Sequence, residues 1–192
     1  MKDVEMSLNL SFGPVLKDSF SFLKKEETIS AAAFREMLKP VKDNLYNFIF
    51  KALNFSEDAD DVFQEAVLRA LKYKRSFKAD RSFKTWIFTI AHNEIKGYYR
   101  KNRKLMRDVH WGEDQEKEIT EYRDTAEREL VRDVYEIAAT FKPKQKNVFF
   151  LFYDNKFSIK EIAEITGLKE GNIKFILNRS REIIKDSLGV KR

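Results

Sequence analysis

Residues 82–104, SFKTWIFTIAHNEIKGYYRKNRK, place apolar side chains at Ile87, Ile90, Ala91, Ile95 and Tyr98. That spacing is the 3.6-residue period of a helix with one face against a core. On the other side Lys84, Phe88, His92, Lys96 and Arg100 follow at four-residue steps and are expected to share a second face, with Asn93 between the two. Cations on such a face can neutralise phosphates, and aromatics can stack on unpaired bases. The segment therefore points to DNA that is partly single-stranded. The plainer reading is a solvated amphipathic helix with a lysine-rich surface.

The flanking segments are helical in pattern too. Ala33, Met37, Val41, Leu45, Phe48, Ile49 and Ala52 mark a helical stretch over residues 30–53, with Pro40 expected to kink or interrupt it. Ser56 precedes Glu57, Asp58, Asp60 and Asp61, an acidic start suited to the positive end of a helix dipole. The helix that follows should bury Val62, Ala66, Ala70 and Tyr73. Helical pattern resumes over residues 126–139, and Pro143 fits the first position of a further helix, which the apolar run 148–153 continues. The trio Asp154, Asn155 and Lys156 reads as a turn. Nowhere does strand-like alternation persist between turn signals, so the expected class is all-α.

Charge divides this chain more clearly than composition does. The net charge of +6 hides blocks: residues 72–107 hold twelve Lys or Arg against two acids, and residues 108–136 hold eleven acids against four bases. From residue 142 the chain is basic again. Two basic blocks around an acidic one suggest two nucleic-acid-facing modules joined by a different kind of segment. The expected organisation is an N-terminal extension (1–25), a first helical domain (26–105), an acidic linker (106–125) and a second helical domain (126–192). With no cysteine and only His92 and His110, neither a disulfide framework nor a thiolate or histidine metal cluster is expected, and no cofactor. No apolar run approaches the roughly 20 residues of a membrane span, and no signal peptide pattern opens the chain. A cytoplasmic protein without membrane insertion is expected.

The second domain carries a helix-turn-helix pattern in FSIKEIAEITGLKEGNIKFILNRSRE, residues 157–182. Ser158 and Glu161 have capping-box spacing. Ala163 permits close helix crossing, and Gly167 four residues on suits a turn position with positive φ. Ile173, Leu177, Ser180 and Ile184 give the second helix a buried stripe. Gly171, Asn172, Lys174, Phe175, Asn178 and Arg179 then lie on or beside its exposed face, where a helix entering the major groove makes its contacts. The plainer alternative is an ordinary helical hairpin.

Together these motifs resemble an extracytoplasmic-function (group IV) sigma factor of bacterial RNA polymerase, over residues 30–188. DADDVFQEAVLRAL, from Asp58, resembles the helix that docks on the polymerase clamp, with Asp61, Gln64 and Glu65 on its polar face. FKTWIFTIAHNEIKGYYRKNRK resembles the loop and helix that melt and read the −10 promoter element. The resemblance puts Asn93 beside the pocket for a flipped base, with residues 80–85 supplying the rest. Flipping costs a few kcal/mol of stacking and pairing, which a polar pocket and stacking surfaces would offset. Ser82, Phe83, Lys84 and Trp86 line that end, although Trp86, Phe83 and Phe88 also suit core packing. Lys96, Arg100, Lys101 and Arg103 would hold the DNA backbone. SIKEIAEITGLKEGNIKFILNRSRE resembles the domain that reads the −35 element and packs on the polymerase flap.

The resemblance implies core RNA polymerase (clamp and flap) and promoter DNA as partners, and an anti-sigma factor as regulator. Glu113, Asp114, Glu116 and Glu118 would let the linker mimic nucleic acid in a basic channel, although an ordinary solvated linker has the same acidic composition. One departure concerns −35 reading: where the family commonly carries a small polar residue and an arginine after the lysine matching Lys174, this chain has Phe175 and Ile176. The expected function is promoter recognition and melting by a polymerase subunit that is not itself an enzyme. The alternative is a stand-alone helix-turn-helix regulator binding an operator as a dimer. A nuclease using Asp60, Asp61 and Glu65 lacks the further carboxylates a metal pair needs.

Overall fold

The computed structural model describes residues 29–78, 82–102 and 126–189, whose regular elements are all helices joined by short turns and loops, with no strand among them. Helix α1 (Ala31–Leu38) starts at Ser30, whose hydroxyl accepts from the Ala33 amide at 3.0 Å. Pro40 interrupts the run as expected, through a single 3₁₀ turn (Lys39–Val41) that leads into α2 (Lys42–Ala52). A short turn with Asn54 and Phe55 at positive φ then reverses the chain. The Phe55 conformation is costly for a bulky residue; its amide bonded to the Phe50 carbonyl at 2.8 Å and its ring 5.3 Å from that of Phe50 hold it there.

Helix α3 (Asp58–Lys72) carries three acids in its first turn and Arg69 and Lys72 in its last, both complementary to the helix dipole. Ala59, Val62, Ala66 and Ala70 form its buried stripe. Tyr73, expected on that stripe, is instead 51% exposed. It is the C-cap, with φ −100 and ψ 17, and the chain turns away there into a 3₁₀ turn (Lys74–Ser76). Helix α4 (Phe83–Lys101) buries Ile87, Ala91 and Ile95 completely and packs on α2 and α3. The small alanines of α3 let the two helices approach closely.

The second unit comprises α5 (Ala126–Ala139), α6 (Pro143–Tyr153), α7 (Ile159–Thr166) and α8 (Glu170–Ser187). Pro143 occupies the start of α6, where its missing N–H costs nothing. Both halves of the capping box at Ser158 and Glu161 are formed, and Gly167 ends α7 with φ 72. Ile162 and Ile165 of α7 meet Ile173 and Leu177 of α8 in the core. Ser180, buried on the same stripe, donates to the Ile176 carbonyl at 2.8 Å and accepts from the Gln145 side chain at 3.1 Å, so its burial leaves no polar atom stranded.

The two units pack on each other, α6 against α2 and α7 against α4. Lys51 of α2 makes a 2.7 Å ion pair with Asp154 and sits 4.2 Å over the Tyr135 ring. The Tyr135 hydroxyl donates to the other Asp154 oxygen at 2.7 Å, and burial together with that carboxylate raises its pKa. Lys146, almost wholly buried in α6, donates to the Asn54 side-chain oxygen across the same boundary. Burial pushes its ammonium down to about 8.

Candidate nucleic-acid interface

Ser82 caps α4, its hydroxyl accepting from the Thr85 amide at 3.4 Å. Just inside the helix, Phe83 is buried against Phe34, Phe77 and Trp86, all with ring centroids 5.6 Å away. Trp86 is half-buried and lies 5.3 Å from Phe77. This aromatic cluster pins the start of α4 to the first unit.

Lys84, Phe88 and His92 do not present the free face expected of them. The Lys84 ammonium donates to the Asn155 carbonyl at 2.7 Å and lies 4.5 Å over the Phe157 ring. Phe88 is completely buried, 5.4 Å from Phe48 and 5.0 Å from Phe157. His92 is buried with its Nδ1 3.3 Å from the Asn147 side-chain nitrogen. All three meet the second unit. The reason is geometric: four-residue steps overshoot a 3.6-residue turn by about 40° each, so residues 84 and 100 end up about 160° apart. A row of such steps winds around a long helix and does not define one face. The exposed stripe is instead Asn93, Lys96 and Arg100, at i, i+3 and i+7 and within about 60° of one another. Lys101 is exposed beside it. Asp80 and Arg103 lie outside the described residues, as do residues 1–25 and the linker acids Glu113, Asp114, Glu116 and Glu118.

Burial holds His92 neutral, its pKa pushed down to about 4, with the Lys96 charge adding to the effect. The native state then takes up this proton only near pH 4, whereas the unfolded chain takes it up near 6.5, so stability falls as pH drops through that window. The full difference is about 3 kcal/mol. Urea unfolding at pH 7 and pH 4.5 should show a loss about 2–3 kcal/mol smaller for His92→Asn than for the parent chain. Equal losses would show that His92 is not held neutral by this packing.

On α3, Asp61, Gln64 and Glu65 are all exposed and adjacent. Glu65 accepts from Arg69 at 3.1 Å, and Arg69 reaches on to Glu94 of α4 at 2.9 Å. Leu68 falls on the same face one turn further and is 60% exposed, a residue the sequence pattern did not single out. Its signal was available: an apolar side chain at i+7 from Asp61 and out of register with the alanine stripe.

On α8, Gly171, Asn172, Lys174, Phe175, Asn178 and Arg179 are exposed as expected, while Ile176 is half-buried. Arg179 lies 3.3 Å from Glu182, and Arg181 donates to the Tyr153 hydroxyl and the Asn178 oxygen, each at 2.7 Å. These exposed pairs are weak and can exchange for phosphate contacts.

Both units have known relatives. The Sigma-70 region 2 family matches residues 37–105, and the Sigma-70 region 4 family matches residues 132–184. The chain is 25% identical over 171 residues to the RNA polymerase sigma factor YlaC of Bacillus subtilis, covering 83% of this chain and 94% of that one. It is 27% identical over 170 residues to the extracytoplasmic-function sigma factor SigW of the same organism, covering 81% and 89%. Among solved structures, the sigma factor RpoE of Bartonella quintana, in complex with the anti-sigma factor NepR, superposes with a TM-score of 0.69 at 25% identity over 83% of this chain and 98% of that one. With both sigma regions matched in order, and relatives aligned over nearly their whole length, the chain belongs to the extracytoplasmic-function sigma factors of the sigma-70 family.

Proposed function

We propose that this chain brings core RNA polymerase to promoters and opens them, with three of its surfaces dividing the work. The observation that carries the reading is the exposed stripe of Asn93, Lys96 and Arg100 on the longest helix of region 2, in a chain whose region 4 presents a second helix with an exposed face carrying Lys174 and Arg179. Asn93 can offer both donor and acceptor to a base edge. Lys96, Arg100 and Lys101 supply charge for the backbone of the same strand, and Ser82 and Trp86 flank the stripe at the helix start. Phe83 supports Trp86 from within. The α3 face of Asp61, Gln64, Glu65 and Leu68 docks on the polymerase clamp, and α8 reads the −35 element.

Such a protein performs no bond chemistry of its own. The stand-alone regulator is the weaker reading, because it gives the α3 face and region 2 no task. An anti-sigma factor is the expected regulator, as one holds the Bartonella relative. Work on polymerase and DNA places the chain in the cytoplasm. Among the described residues no helix is long and apolar enough to cross a membrane.

Promoter binding also requires movement. Elements named −10 and −35 lie about 25 base pairs apart, or about 85 Å at 3.4 Å per pair. A globule of the described size spans only about 40 Å, and α4 and α8 both pack on α7. The two units must therefore separate for both elements to be held at once.

An Asn93→Ala chain tests the −10 assignment. Base-edge hydrogen bonds discriminate by about 1–3 kcal/mol, so open complexes, counted by permanganate reactivity of promoter thymines, should fall about 5- to 150-fold. Co-elution with core enzyme on gel filtration should be unchanged. Loss of co-elution would remove Asn93 from the promoter surface and assign it to docking or folding.

A further inference from the structure

Phe175 is 71% exposed, the most exposed large apolar side chain among the described residues. It stands in the first half of α8, beside Lys174 and on the same exposed face as Gly171, Asn178 and Arg179. Folding alone gives no reason for a phenylalanine there, since neighbouring Ile173, Leu177 and Ser180 already fill the buried stripe. The turn before it carries Gly171, where an added Cβ would meet nothing within 4 Å. A helical side chain leans over the turn that precedes it, so this ring lies above a bare patch of helix able to approach DNA closely.

The polar groups nearby are partly committed to one another. Asn178 accepts from Arg181, and Arg179 faces Glu182. The position after Phe175 is Ile176, half-buried and packed on the core, so no cation reaches out from there. What this stretch of α8 offers a base edge is an aromatic surface flanked by Lys174 and Arg179. In the major groove the thymine C5-methyl is the one apolar group that a base edge presents. Lys174 and Arg179 supply the complementary charge for the phosphates on either side.

We propose that Phe175 is a specificity-determining residue that selects thymine in the upstream promoter element by packing on its methyl group. The proposal rests on the reading of α8 as the −35 helix. It puts an apolar contact where the family commonly carries a small polar residue, and it makes the preference depend on a single methyl.

The test uses the full chain with core RNA polymerase and duplexes selected by that holoenzyme from a library randomised upstream of the −10 region. Each thymine in the protected upstream segment is replaced in turn by deoxyuridine, which removes the methyl and nothing else. One replacement is expected to weaken binding about fourfold, the effect of withdrawing one buried methyl group. Phe175→Ala should bind the thymine duplex about as weakly as the parent binds the deoxyuridine one, and should no longer distinguish them. Phe175→Leu should keep part of the discrimination. If the upstream segment is protected but every deoxyuridine duplex binds as well as its parent, the methyl contact is overturned while the −35 reading stands. A penalty that persists unchanged in Phe175→Ala overturns it equally. If selection enriches no upstream sequence and protection there is absent, the −35 reading of α8 fails and the proposal fails with it.

Discussion

A Phe88→Ala chain is expected to lose about 3–5 kcal/mol of stability, the usual cost of emptying a fully buried phenylalanine site. Phe88 is completely buried, and its two ring neighbours come from different units: Phe48 on α2 at 5.4 Å and Phe157 ahead of α7 at 5.0 Å. Truncation therefore weakens both the region 2 core and the contact between units. Against a typical total of about 5–15 kcal/mol, such a loss leaves the fold marginal. Urea unfolding measures the first effect, and an increased radius of gyration in solution scattering under native conditions measures the second. Phe88→Leu, which keeps most of the volume, should cost less than about 1.5 kcal/mol. A Phe88→Ala chain as stable as its parent, with weakened promoter binding, would return Phe88 to the DNA face.

Phe88 also marks how far the sequence could be read. The apolar stripe of α4 was legible because Ile87, Ala91 and Ile95 all face one side, and local chemistry was legible because caps are short-range. Ser158 with Glu161, Gly167 at positive φ and Pro143 at a helix start each fold as their residue types dictate. The contact between units was not legible. Lys84, Phe88 and His92 look like a mixed, solvent-facing set along the chain, and only the arrival of Asn147, Asn155 and Phe157, over fifty residues away, makes them interior. Helical pattern reports that a side is apolar but not which partner covers it. Tyr73 failed for a related reason, since a helix end frees its last stripe residue.

The acidic face of α3 separates folding from function. Asp61, Gln64 and Glu65 are exposed, and their intramolecular interactions are small: the first-turn position of Asp61 contributes about 0.3–1 kcal/mol through the helix dipole, and the exposed Glu65–Arg69 pair about 0.3–0.5 kcal/mol. Asp61→Lys with Glu65→Lys, which reverses both interactions, should thus lower stability by about 1–3 kcal/mol. On the proposed docking of this face against the clamp, the same carboxylates would leave water and meet complementary charge, where losing one partner of such a pair costs about 2–5 kcal/mol. Affinity for core polymerase should accordingly fall about 30- to several-thousand-fold, read by titration of labelled chain with core enzyme. Leu68→Ala should weaken docking without altering its salt dependence, because it removes apolar contact and no charge. If the double variant bound core enzyme as its parent does, this face would not be the docking surface. Unfolding is excluded as the cause by the urea transition, which should remain cooperative and show the variant fully folded without urea.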